Sequence, residues 1–232
     1  MSDVISRHNV LYFGDELDIR LIPKNCSSTL KILWTLMNNE KPRVADLGNP
    51  HGYWPSHGAE RYQRQKAIHL NNGQLWRTTA KKVAIKRDPI DRWLSVMNFS
   101  YEMKEYVSYR LYKGFDVPQS YRHYLDLPYL ELGINHAVDY HKQVGILCPE
   151  SVSQFSCAGN AEQYDYIFDQ KEFSKCVELI EDLCRYSFHK FERNIQATKV
   201  KIKRFEKRDL TKRSIDTIME IIYAEDYATG WG

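Results

Sequence analysis

The sequence predicts an α/β domain: a central, mainly parallel sheet flanked by helices on both faces, in three layers. Two strand-to-helix transitions and a series of amphipathic helices carry this expectation. The apolar pattern changes to helical period after Ser28 and again after Pro89. Each change follows a short apolar strand and a polar turn, as in a βα unit. Parallel neighbours need crossover helices, and those helices cover the sheet.

In chain order, Asp18 to Ile22 alternates as a short strand and meets Pro23-Lys24-Asn25-Cys26-Ser27-Ser28. Leu30, Leu33, Trp34 and Met37 then stand at i, i+3, i+4 and i+7, one face of a helix. Asn49 to Gly58 holds two Pro, two Gly and two His and reads as a loop. Lys66 to Leu70 reads as a short strand. Val83-Ala84-Ile85 is a buried-strand pattern that runs into Lys86-Arg87-Asp88-Pro89. Asp88 suits an N-cap and Pro89 the first helical position. Ile90, Trp93, Leu94 and Met97 continue that helix. Lys104 to Tyr140 is Tyr-rich with little periodicity and reads as helices and loops. Tyr164 to Phe168 is another short strand. Phe173, Cys176, Val177, Ile180, Cys184 and Phe188 mark a long amphipathic helix. Thr211 caps a last helix carrying Ile215, Ile218, Met219 and Ile222.

With 232 residues and 43% hydrophobic content, the chain suits a single domain, 1–232. A net charge of +3 gives no global field for nucleic acid, and leaves room for a local basic site. The five Cys include no zinc-like pair, so reduced thiols are expected. Cys176 and Cys184 share an apolar helical face and read as small buried hydrophobes. Met1 to Asp18 has no apolar run of signal-peptide length, and no stretch is long enough to span a membrane. The expectation is a cytoplasmic protein, or one trimmed of an anchor.

Two segments carry chemistry. Lys24-Asn25-Cys26-Ser27-Ser28-Thr29 places a Lys and three hydroxyls in a turn that opens a helix. Helix N-termini favour anions, and the hydroxyls and the ammonium add donors and charge. The same Ser-Ser-Thr run also serves as an ordinary helix cap. The turn lacks the Gly-x-x-x-x-Gly-Lys pattern of nucleoside triphosphatases. The second segment puts Arg87 at a strand end, the usual ligand-facing edge of an open α/β sheet, with Ser95 two turns into the next helix. A second phosphate fits there. The alternative is a set of surface ion pairs, Arg87 and Arg92 with Asp88 and Asp91.

Taken together, these segments resemble the PAPS-dependent sulfotransferases, in particular the branch of Golgi-type carbohydrate sulfotransferases. Pro23 to Leu30 resembles the family's 5′-phosphosulfate loop. Arg87-Asp88-Pro89-Ile90-Asp91-Arg92 through Ser95 resembles its 3′-phosphate motif. His141-Lys142-Gln143, Tyr164-Asp165-Tyr166-Ile167 with Glu172, and Tyr223-Ala224-Glu225-Asp226-Tyr227 are similar to later family elements. The likeness spans Ile19 to Tyr227, and the first two motifs are the specific ones. It implies a P-loop-like fold and sulfuryl transfer from 3′-phosphoadenosine 5′-phosphosulfate (PAPS) to an acceptor hydroxyl, with a carbohydrate favoured. The product is 3′,5′-adenosine bisphosphate (PAP). No metal, nucleic acid or membrane span is implied.

The resemblance assigns Lys24 to the phosphosulfate bridge. Asn25, Cys26, Ser27, Ser28 and Thr29 form the 5′-phosphate loop, and Arg87 and Ser95 hold the 3′-phosphate. The family loop is commonly richer in Gly than Asn25-Cys26-Ser27. The general base would be a His or Glu ahead of the 3′-phosphate strand: His69 first, His57 second, His141 third. From the basic stretch Lys199 to Arg208, Lys203 or Arg204 would touch phosphate, and the alternative is a solvated charged face. Tyr53, Trp54 and Trp76 could stack on adenine or sugar, or anchor a core. The Tyr-rich segment Tyr101 to Tyr140 would shape the acceptor cleft. Two other readings stay open. One is a small P-loop kinase, which needs Mg²⁺ ligands and a Gly-rich loop; the other is a non-catalytic nucleotide- or glycan-binding module.

Overall fold

The computed structural model describes residues 10–38, 76–77, 79–117, 119–188 and 204–232. In chain order the principal elements are β1 (Val10–Phe13), β2 (Leu17–Arg20), α1 (Ser27–Met37), β3 (Lys81–Lys86), α2 (Pro89–Tyr112), α3 (Gln119–Arg122), α4 (Ile134–Val144), α5 (Gln154–Ala158), β4 (Tyr166–Asp169), α6 (Phe173–Cys184), α7 (Lys212–Thr217) and α8 (Ala224–Ala228). The chain forms two compact units. The first takes Met1–Arg87 and Gln154–Lys201; the second takes Asp88–Ser153 and Ile202–Gly232.

The first unit is α/β. Its four-stranded sheet has the order β1-β2-β3-β4. The β1–β2 pair is antiparallel, with Val10 opposite Arg20 and Phe13 opposite Leu17. The β2–β3 and β3–β4 pairs are parallel, with Ile19 opposite Val83 and Ile85 opposite Phe168. The sheet is thus mainly parallel, as the alternating pattern predicts. The hairpin strand β1 is the element that pattern missed, because Val-Leu-Tyr-Phe is too short a run to declare its period. All four of its residues are buried.

Strand β2 reads Leu-Asp-Ile-Arg, and all four side chains are buried, so both of its faces are covered. Leu17 and Ile19 join the apolar core with Leu30, Leu33 and Trp34 of α1 and Phe173, Cys176 and Ile180 of α6. Trp34 satisfies its indole N–H on the Tyr12 carbonyl at 2.9 Å. Asp18 and Arg20 alternate to the other face, and each is satisfied. Asp18 accepts from the Arg77 backbone N–H at 2.7 Å and from Arg77 Nε at 2.6 Å. Arg20 Nε donates to the Cys157 carbonyl at 2.9 Å. The expected strand Asp18 to Ile22 begins one residue earlier and stops at Arg20. The expected helix Phe173 to Phe188 ends at Cys184, where Arg185 turns left-handed at φ 50°. Cys176 is fully buried, and burial raises its thiol pKa to about 12. The expected strand Lys66 to Leu70 and the loop Asn49 to Gly58 lie outside the described residues.

The second unit is helical. Asp88 caps α2 by accepting from the Asp91 N–H at 2.9 Å, and Pro89 opens the helix. Ile90, Trp93, Leu94 and Met97 pack with Ile134, Ala137 and Val138 of α4 and with Ile218 and Tyr223. Thr211 caps α7 through Ser214 N at 3.2 Å. A π-helical turn, Ile218–Ile222, follows and closes with the Tyr223 N–H on the Ile218 carbonyl at 2.8 Å. Among the described residues, no helix is long and apolar enough to cross a membrane.

Arg92 overturns the surface ion-pair alternative. It is fully buried; its Nη1 donates to the Val152 carbonyl at 2.6 Å and its Nη2 to the Glu150 carbonyl at 2.9 Å. Its guanidinium lies 5.6 Å from the Tyr223 ring centroid, and the Tyr223 hydroxyl donates to the Ser151 carbonyl at 2.9 Å. The buried guanidinium thus satisfies carbonyls of a half-buried loop, which a surface pair would not do.

His141 is buried in the same core. Its Nδ1 accepts from Trp93 Nε1 at 3.0 Å, so the neutral ring carries its proton on Nε2, which has no hydrogen-bond partner. Burial, aided by the Arg92 charge, lowers its pKa to about 4. The unfolded imidazole titrates near 6.5. The folded state therefore binds the proton less well, and its contribution is intact above about pH 6.5 and is lost as pH falls towards 4. At about 1.4 kcal/mol per unit, the loss is on the order of 3 kcal/mol. Denaturant unfolding at pH 7.5 and pH 4.5 should show a steeper loss for the wild type than for His141→Phe. Equal losses would remove His141 as the cause.

Candidate functional site

The site is built in the first unit, where β2 delivers the chain to α1 and where β3 ends. Beyond β2, the turn closes with the Asn25 N–H on the Ile22 carbonyl at 3.1 Å. Lys24 and Cys26 both adopt left-handed backbone, at φ 67° and 59°. That conformation costs a side-chain-bearing residue roughly 1–2 kcal/mol. The missing glycines therefore do not loosen the turn. Non-glycine residues hold the tight geometry at a cost in strain, and such strain concentrates at functional sites. Left-handed turn residues also help gather N–H groups into an anion-binding concavity.

Helix α1 starts with Cys26 as N-cap, no side-chain cap and no acidic residue in its first turn. The ordinary-cap reading of Ser27-Ser28-Thr29 therefore fails here: these residues follow the N-cap, inside the helix. The first in-helix bond runs from the Leu30 N–H to the Cys26 carbonyl at 3.0 Å. The helix dipole at this end is thus not offset by a carboxylate from the helix's own first turn. Lys24, Ser27 and Ser28 are half-buried, whereas Asn25, Cys26 and Thr29 are buried.

Arg87 is half-buried and sits just beyond β3. Its Nη1 donates to the Lys24 carbonyl at 3.0 Å. The two sequence motifs, 63 residues apart, are therefore in direct contact. Two buried amides brace them. Asn25 Nδ2 donates to the Ile85 carbonyl at 2.8 Å and to Gln154 Oε1 at 2.6 Å. Gln154 Oε1 also accepts the Arg87 N–H at 3.0 Å, and Gln154 Nε2 donates to the Arg87 carbonyl at 3.0 Å. Gln154 was missed by the sequence reading. It is a lone Gln whose partners are the Arg87 backbone, 67 residues away, and the Asn25 side chain, 129 residues away, and no local pattern announces that.

Comparison with protein-family models, with curated proteins and with solved structures finds no match. The site's chemistry is therefore read from its own residues.

Ser95 and Arg204 belong to the second unit. Ser95 is half-buried on α2. Arg204 meets Glu105 there in an exposed ion pair at 2.9 Å and lies over the Tyr101 ring at 4.3 Å. His141 offers no free basic nitrogen, since Nδ1 is committed to Trp93. Trp76, half-buried, packs edge-on to Tyr164, with centroids 5.6 Å apart. His69, His57, Lys203, Tyr53 and Trp54 lie outside the described residues. An open basin of about 810 Å³ lies elsewhere in the first unit, lined by Tyr166, Phe168, Lys175 and Tyr186 among others; neither Lys24 nor Arg87 lines it. Among the described residues, no His/Cys/Asp/Glu group of three or more could hold a metal.

Proposed function

We propose that the chain is a PAPS-dependent sulfotransferase whose sheet belongs to a P-loop-like three-layer sandwich. The observation that carries the reading is the 3.0 Å bond from the Arg87 guanidinium to the Lys24 carbonyl. It joins a helix start and a strand-end arginine, two anion-binding features suited to a nucleotide with phosphates at both ends. Five cysteines outside any disulfide, four of them buried, favour a reducing compartment, and we assign the protein to the cytoplasm.

In the proposed reaction an acceptor hydroxyl oxygen, in the favoured case on a carbohydrate, attacks the sulfur of PAPS in line with the bridging oxygen. The new O–S bond forms as the S–O bond to the 5′-phosphate breaks. The products are the sulfate ester, PAP and the hydroxyl proton. Lys24 stabilises the charge gathering on the departing phosphate oxygen, and Ser27, Ser28 and Thr29 belong to the loop that holds that phosphate. Arg87 binds the 3′-phosphate, and the resemblance adds Ser95. A base, with His69 ahead of His57, takes the proton.

Calorimetric titration with PAP should give a one-to-one isotherm that neither ATP with Mg²⁺ nor plain sulfate reproduces. Mass spectrometry with PAPS and a panel of glycans and alcohols should then show a sulfate-sized gain. No heat with PAP at tenfold excess would sink the proposal, and binding without any transfer would leave a nucleotide-binding module.

A further inference from the structure

Gln154 is fully buried, and its single amide reaches both halves of the anion cradle. Its orientation is fixed by the backbone. The Arg87 N–H requires an acceptor and the Arg87 carbonyl requires a donor, so Oε1 and Nε2 are assigned without ambiguity. Oε1 then demands a donor from Asn25, which fixes that amide as well. The result pins both backbone polar groups of Arg87 and the side chain at the middle of the left-handed turn. Glu would lack the donor, Met would lack donor and acceptor, and Asn is one methylene shorter.

We propose that Gln154 is a positioning residue that sets the span between the Lys24 turn and Arg87, and hence the spacing of anionic groups the cradle accepts. This rests on the sulfotransferase reading for its ligand and extends it by naming the buried group that measures the nucleotide. Because Gln154 acts through Asn25 and Arg87, its loss should penalise a ligand that bridges both halves more than one that occupies the turn alone.

The test is a cycle of wild type, Gln154→Met, Arg87→Met and the double variant, titrated calorimetrically with PAP and with adenosine 5′-phosphate. Gln154→Asn is a second variant in case Met fails to fold, and circular dichroism checks folding. Gln154→Met should weaken PAP binding about tenfold and adenosine 5′-phosphate binding by less than about threefold, because only the former reports the span. Arg87→Met should then add less than about twofold in the Gln154→Met background, the non-additivity expected of residues acting as a unit. Equal losses for both ligands, or penalties that simply multiply, overturn the proposal while leaving the sulfotransferase reading in place. A wild-type chain that fails to bind PAP overturns that reading, and this inference with it.

Discussion

If the proposed reaction holds, replacing Lys24 by Ala should lower sulfuryl transfer by about 10²–10³-fold, the range seen when one donor to a developing anion is removed. The same change should weaken PAP binding far less, because the ammonium is needed most as charge builds on the departing oxygen. Lys24→Gly makes the expectation sharper. Lys24 sits at φ 67°, where a side chain is strained and Gly is not. Strain relief of roughly 1–2 kcal/mol, less the extra chain entropy of Gly at about 0.5–1 kcal/mol, leaves a stability gain between about 0 and 1.5 kcal/mol. Lys24→Gly should therefore melt higher than wild type while turning over no faster than Lys24→Ala. Comparable turnover in all three proteins would remove Lys24 from the chemistry. A lower melting point for the Gly variant would refute the strain argument.

Arg77→Ala should be the most destabilising of the substitutions considered. Asp18 is fully buried, and Arg77, whose side chain is 14% exposed, binds it through both Nε and the backbone N–H. Arg77 Nη2 also donates to the Leu17 carbonyl at 2.7 Å. Removing the guanidinium leaves the buried carboxylate without its counter-charge and with the backbone N–H of residue 77 still donating to it, so the cost should fall at or somewhat below the roughly 3–5 kcal/mol of a broken buried pair. Urea unfolding should show that loss as a shift in midpoint with little change in slope. The double variant Asp18→Asn, Arg77→Ala should recover part of it, since the stranded charge is gone. A single-variant loss below about 1 kcal/mol would mean that water reaches Asp18 and the pair is only a surface one.

The legible features were those that act locally. Asp88-Pro89 announces α2, Thr211 announces α7, and Leu30, Leu33, Trp34 and Met37 announce the buried face of α1, each within a turn or two of sequence. The segments of the proposed anion site were also visible as residue types: Lys24 with the hydroxyls of Ser27, Ser28 and Thr29, and Arg87 at a strand end. What could not be read depends on distant partners. Strand β1 gains its identity from β2 and Trp34, not from its own four residues. Arg92 looks like a surface charge until the carbonyls of Glu150 and Val152 appear beside it. The left-handed Lys24 and Cys26 carry no glycine signal, because the turn is held by the Asn25 and Gln154 amides and not by intrinsic preference.

The way the chain alternates between its two units has a consequence for biosynthesis. The sheet needs β4, and the core beneath it needs α6, both encoded after Gln154. The helical unit needs Leu210, Ile218 and Tyr223, encoded later still. A ribosome that has released residues through Ser153 has thus delivered no finished core, and exposed strand edges and apolar helix faces must wait for the remaining chain. Neither unit can be cut out as one continuous fragment, because each is built from two separate stretches of chain.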